Sequence, residues 1–138
     1  MATFQKFNQF VEDLAKGVHN LSTGQLKVAL TNTAPVAANS VYADLTSVLA
    51  TTNLSGANPF NITTTSAEQT SGTLSLVLVD LTLTATGSVG PFRYVVLYND
   101  TPTSPADPLI GWYDYGSSVT MANTETFLID FASTTITI

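Results

Sequence analysis

The sequence reads as a mainly β protein, an antiparallel β-sandwich or jelly roll of about eight strands with an amphipathic helix at its N-terminus. Three observations predict this class. Ser and Thr fill 35 of 138 positions while charged residues make up only 10%, and β-branched Thr suits a pleated, half-solvated face. Apolar residues alternate with a period of two through most of the second half, as strands with one buried side require. Clusters of Gly, Pro, Asn and Ser interrupt that alternation at the short intervals of a sandwich or barrel.

Each element can be placed in turn. Phe4, Phe7, Phe10, Val11, Leu14 and Val18 recur at spacings of three and four, with polar residues between them, which predicts a one-faced helix over 4–16. Thr3 is placed to cap its start and Gly17 to end it. From Gln25 the period becomes two, and Leu26, Val28 and Leu30 predict a strand that stops at 32–35. Val41, Leu45, Val48 and Leu49 return to helical spacing and predict a short helix. Residues 50–72 are rich in Thr, Ser, Asn and Gly, which predicts a long loop or weak edge strand anchored by Phe60 and Ile62. Strands are then expected over 73–86, 92–99, 109–115, 119–122, 126–131 and 135–138, separated by turn residues.

The strand expected over 73–86 is unusual. Val77, Val79, Leu81, Leu83 and Ala85 share one face, yet Leu74, Leu76 and Leu78 fall on the other, so its first half is apolar on both sides. The N-terminal helix, a neighbouring subunit or a bulge that shifts the register would each account for this.

A length of 138 residues fits one domain, 1–138, with 1–24 as a helical N-terminal arm or cap. A composition that is 44% hydrophobic supplies a core without staples. Absence of cysteine removes disulfides, thiolate metal sites and cysteine nucleophiles. Four basic residues, Lys6, Lys16, Lys27 and Arg93, against ten acidic ones give a net charge of -6, which leaves no patch to neutralise a run of phosphates and argues against nucleic acid. No stretch approaches the length of a membrane span, and the first twenty residues lack the apolar run of a secretory signal.

Residues with chemical potential are few. His19 is the single histidine, and the ordinary role for it is a solvated or helix-terminal contact. No nucleophile-elbow, zincin, Walker or dinucleotide pattern occurs. Asn99, Asp100, Thr101 and Asp107 offer hard oxygens in one Pro-rich loop, but their spacing matches no EF-hand, so a turn with Asx hydrogen bonds is expected rather than a Ca²⁺ site. Trp112, Tyr113 and Tyr115 around Asp114 form an aromatic stretch suited to stacking a sugar or anchoring a protein. Alternation sends Trp112 to one face and the two tyrosines to the other. Arg93 is expected in an ion pair with a nearby carboxylate. Altogether the residues argue against enzymatic chemistry, name no cofactor or metal, and favour a binding or structural role.

Several segments carry a resemblance. The opening Phe4-Gln5-Lys6-Phe7, then Val18-His19-Asn20-Leu21 and Leu26-Lys27-Val28-Ala29-Leu30-Thr31-Asn32-Thr33-Ala34-Pro35, resemble the start of small virion proteins of tailed bacteriophages. Gly90-Pro91-Phe92-Arg93-Tyr94-Val95-Val96-Leu97-Tyr98-Asn99 and Trp112-Tyr113-Asp114-Tyr115-Gly116-Ser117-Ser118-Val119 resemble later stretches of the same group, with the poorest match over 50–72. The resemblance implies a non-enzymatic structural protein of the capsid cement or decoration kind, made in the host cytoplasm and carried on the capsid surface. Its partners would be a second and third copy of itself, as a dimer or trimer, and the major capsid protein. Tail, fibre or glycan-binding receptor modules are the alternative place for such a β domain. The interface residues expected on this reading are Phe4, Phe7, Phe10, Leu76, Leu78, Trp112 and Ile138.

Overall fold

A computed structural model describes residues 3–131 and the backbone of 133–136. The chain is mainly β, with one α-helix and only antiparallel strand pairs. Its elements are β1 (Gln5–Lys6), α1 (Asn8–Ala15), β2 (Leu26–Thr31), β3 (Asn61–Ile62), β4 (Thr64–Thr70), β5 (Thr73–Leu78), β6 (Leu81–Thr84), β7 (Val89–Asn99), β8 (Leu109–Met121), β9 (Thr126–Ile129) and β10 (Ser133–Ile136). They form a five-stranded sheet in the order β1-β8-β7-β2-β3, a three-stranded sheet β10-β5-β4 and a ribbon β6-β9. All three contribute to one contiguous hydrophobic cluster.

The N-terminal helix is shorter than its periodicity predicts. Its first turn is replaced by β1, where Gln5 pairs with Trp112 and Lys6 with Gly111, and the Phe7 N–H continues the ladder to the Ile110 carbonyl at 3.1 Å. Gly111 makes this docking possible. A Cβ there would lie 2.2 Å from Phe4 Cζ and 2.5 Å from the Gln5 carbonyl oxygen, so only a residue without a side chain lets the arm close on β8. Phe7, not Thr3, occupies the N-cap position, with no side-chain cap. Gly17, at φ +75°, follows the helix end as expected.

Three further segments depart from the periodicity. Residues 41–49 hold only a 3₁₀ turn, Tyr42–Asp44, whose Asp44 carboxylate accepts from the Ser40 and Val41 N–H groups at 2.8 and 3.2 Å. Val41 and Val48 there form bridges to Pro108 and Thr31, so their spacing serves sheet edges rather than a helix face. Of the long loop or weak edge strand expected over 50–72, the second part forms an edge strand, β4, joined to β5 through Ser71 and Gly72 at φ 51° and 80°, a turn whose twist matches that of the strands. Gly116, expected to end a strand, instead sits inside β8 at φ +97°.

The doubly apolar strand is two strands in two sheets. Leu76 and Leu78 are buried, Val79 is exposed, and then Leu83 and Ala85 are buried, so the inward side passes from even to odd positions across Val79 and Asp80. The Val79 N–H donates to the Thr63 carbonyl at 2.9 Å, and Asp80 Oδ1 accepts from the Phe131 N–H at 3.0 Å. The single strand expected over 73–86 is thus not formed: the phase changes because the chain leaves one sheet for another, not through a bulge within one strand. Leu74, at the start of β5 and on the same face as Leu76 and Leu78, shares a cavity with Leu14 and Gly17 at the end of α1.

Candidate functional site

The residues expected at an interface fall mostly inside the chain. Phe7, Phe10 and Leu76 are fully buried, and Leu78 and Trp112 nearly so. The Phe7 and Trp112 rings meet at 4.6 Å between centroids. These five side chains therefore present little free surface to a partner; for Phe7 and Trp112 this is because the arm folds back on its own sheet. Phe4 is half-buried and packs edge-on against Tyr113 at 5.4 Å. Ile138 lies outside the described residues.

The aromatic stretch divides as alternation predicts, and its outward side lines an open, mainly apolar groove. Val95, Tyr113 and Tyr115 from β7 and β8 face Phe127, Leu128, Ile129 and Asp130 from β9 and the residue after it, across a groove of about 350 Å³. Tyr115 stacks edge-on against Phe127 at 5.2 Å, and Phe127 against Phe92 at 5.1 Å. Tyr115 and Leu128 are 55% and 57% exposed, enough for both to meet a partner without refolding. Leu128 was missed by sequence reasoning because it reads as one more apolar residue in the alternation of β9. Only the parity of Phe127 and Ile129, which pack inward, marks it as the outward one.

Beside the groove, Arg93 donates to both oxygens of Asp114 at 2.8 and 3.0 Å, and Asp114 also accepts from the Gly116 N–H at 2.8 Å. The Arg93 hydrogen bonds hold the Asp114 carboxyl below its ordinary range, and the same bonds raise Arg93. This bidentate fork satisfies the charges of both and fixes the neighbouring backbone.

The oxygens of the loop after β7 are engaged in local hydrogen bonds and an ion pair. Asn99 is buried and its Oδ1 accepts from the Thr101 N–H at 3.1 Å, the Asx turn expected for this loop. Asp100 pairs with Lys27 at 3.3 Å. Burial and then a hydrogen bond with Asp100 raise the Asp107 carboxyl. Among the described residues there is no group of three or more His, Asp or Glu side chains arranged to hold a metal. Burial raises Tyr98 strongly and Tyr42 less, their rings 4.9 Å apart.

Of the solvated or helix-terminal contact expected of it, His19 makes the second. It is buried, its ring 5.2 Å from that of Phe10, and its Nδ1 lies 3.2 Å from Asn99 Nδ2. Desolvation lowers its pKa below the ordinary 6.5, opposed by the nearby Asp13 carboxylate. Asp13 is itself buried, with Oδ1 accepting from Gln9 Nε2 at 3.1 Å. Asp13 Oδ2 and His19 Nε2 lack partners among the described residues. Nothing in the sequence signals this cluster, since residues 13, 19 and 99 meet only through the fold.

No protein-family model, no characterised protein and no solved structure matches the chain. None of the helices among the described residues is long and apolar enough to cross a membrane.

Proposed function

We propose that this chain is a non-enzymatic virion structural protein of the capsid cement or decoration type, and that it meets the head lattice through the groove between β8 and β9. The observation that carries this reading is the pair Tyr115 and Leu128, large apolar side chains more than half exposed on a chain with only 10% charged residues. Exposed apolar groups beside a polar, hydroxyl-rich rim are the composition of a protein contact. The resemblance of the β1, β2, β7 and β8 segments to small phage virion proteins supplies the kind of partner, a major capsid protein, and a self-associated dimer or trimer as the bound form. A sandwich of the large sheet against the smaller ones belongs to the same proposal, supported by the Phe92 and Phe127 contact that ties β7 to β9.

Purified particles analysed by mass spectrometry should contain the protein in fixed ratio to the major shell protein. Capsids lacking it should gain heat resistance when it is added back, because a partner that binds only the assembled state stabilises that state. A Tyr115→Ser, Leu128→Ser double variant should keep its fold and lose this effect. Capsids that are equally stable without the protein, or a double variant that protects as well as the parent, would refute the proposal. A second reading, glycan binding, draws on Tyr113 and Tyr115 lining the groove together with the Asp130 carboxylate. Saturable binding of a free oligosaccharide, lost in the same double variant, would favour it over the first.

A further inference from the structure

The buried His19 and Asn99 pair has a directionality that follows from donors and acceptors alone. The Thr101 backbone N–H can only donate, so the Asn99 atom that meets it at 3.1 Å must be the carbonyl Oδ1. Asn99 Nδ2, a donor, then faces His19 Nδ1 at 3.2 Å. Nδ1 must therefore be the acceptor, and neutral His19 carries its proton on Nε2. Protonating His19 sets an N–H against an N–H. Turning the Asn99 amide over relieves that clash but sets Nδ2 against the Thr101 N–H instead. Either way one hydrogen bond of the His19, Asn99 and Thr101 chain is lost in a buried place.

The Asn99 side of the pair is closely confined. Gly24 packs on the Asn99 amide so closely that a Cβ would lie 3.0 Å from both Oδ1 and Nδ2, and 2.7 Å from the Asn20 carbonyl. The Thr101 hydroxyl accepts from the Gln25 N–H at 2.8 Å, and the Asp100 N–H donates to the Gln25 carbonyl at 2.9 Å. The chain of bonds thus ties the end of the helical segment to the first residues of the loop over 100–108.

We propose that His19, Asn99 and Thr101 form a proton-operated latch that holds this loop at neutral pH and releases it on acidification. The charged groups around it are few. Asp13 on α1 faces His19 and favours its protonated form, whereas Glu12 and Lys16 on the same helix pair with each other in solvent. The cavity on the other side of the ring is lined from β4 and β5 by Ala67 and Leu74, which carry no charge. In the loop itself, Asp100 pairs with Lys27 and shares a hydrogen bond with Asp107.

The test is an NMR titration of the intact protein, in which the single histidine gives an unambiguous ring signal. The ¹⁵N shifts at neutral pH should show Nε2 protonated and Nδ1 bare, and the ring should titrate below 6.5. Through that titration, hydrogen exchange of the Thr101 amide should quicken at least tenfold relative to the Val96 and Leu97 amides. Asn99→Asp, whose second carboxylate oxygen can accept from a protonated Nδ1, should move the titration above 6.5. His19→Gln, which can still accept from Asn99 but cannot titrate, should keep Thr101 protected at acid pH. That variant decides the matter even if Asn99→Asp does not fold. A ring protonated on Nδ1 at neutral pH, a titration at or above 6.5 in the parent, or equal acid response in parent and His19→Gln would overturn the latch.

Discussion

Truncating Phe7 to Ala tests whether the aromatic N-terminus belongs to this chain or to a partner. The Phe7 side chain is fully buried, its ring 4.6 Å from that of Trp112, and its N–H closes the β1 ladder onto Ile110. Replacing a fully buried Phe removes its transfer energy and leaves a cavity, together costing about 3 to 5 kcal/mol. A domain of this length is expected to be stable by roughly 7 to 20 kcal/mol at about 0.05 to 0.15 kcal/mol per residue. The variant should therefore still fold at 25 °C. Its thermal midpoint should fall by about 9 to 25 °C, taking about 3 to 5 °C per kcal/mol for this size. The assay is urea unfolding of the purified protein followed by Trp112 fluorescence, because the only tryptophan sits against the deleted ring. A change below about 1 kcal/mol, at protein concentrations where the parent and variant are both monomeric, would refute internal packing of the arm.

Other perturbations bear on separate parts of the fold. Gly111→Ala should cost about 1 to 3 kcal/mol by overpacking against Phe4 and the Gln5 carbonyl, and should quicken hydrogen exchange at Phe7 while leaving β2 and β7 unchanged. Because burial lowers the pKa of His19, its contribution to stability is complete above pH 6.5 and is lost as pH falls through the folded-state value. Unfolding free energies from urea titrations should accordingly fall with pH below 6.5, by at most about 1.4 kcal/mol per pH unit for one proton, and His19→Gln should flatten that part of the profile. Deleting 133–138 removes the strand whose Ser133 and Ile136 pair with Val77 and Leu74. It should lower the unfolding midpoint and promote concentration-dependent association through the bared edge of β5, visible by light scattering.

What was legible in the sequence is what local patterning determines, and what was hidden depends on where the chain meets itself. Period two around Leu26, Val28 and Leu30 required no tertiary knowledge, and Gly17 ended the helix through its own backbone. Phe4 and Phe7 obey helical spacing equally well, yet β8 offered a ladder of hydrogen bonds and a glycine under the Phe4 ring, and pairing with a sheet overrides a helical turn that would be marginal alone. The strand β4 was legible only as one of two alternatives, loop or weak edge strand, for the opposite reason. Thr64–Thr70 has little hydrophobic contrast, and its order comes from the register with β5. The apolar stretch over 73–86 shows how a pattern can be informative before it is interpretable. A strand with one buried face cannot place Leu76 and Leu83 on the same side, because they differ in parity. Both side chains are nevertheless buried, so the chain had to change phase between them. The sequence marks the place with Asp80, a charged residue in the midst of the run. Its carboxylate takes up the Phe131 N–H at that break, which lets the chain leave one sheet and enter another with a buried backbone donor satisfied.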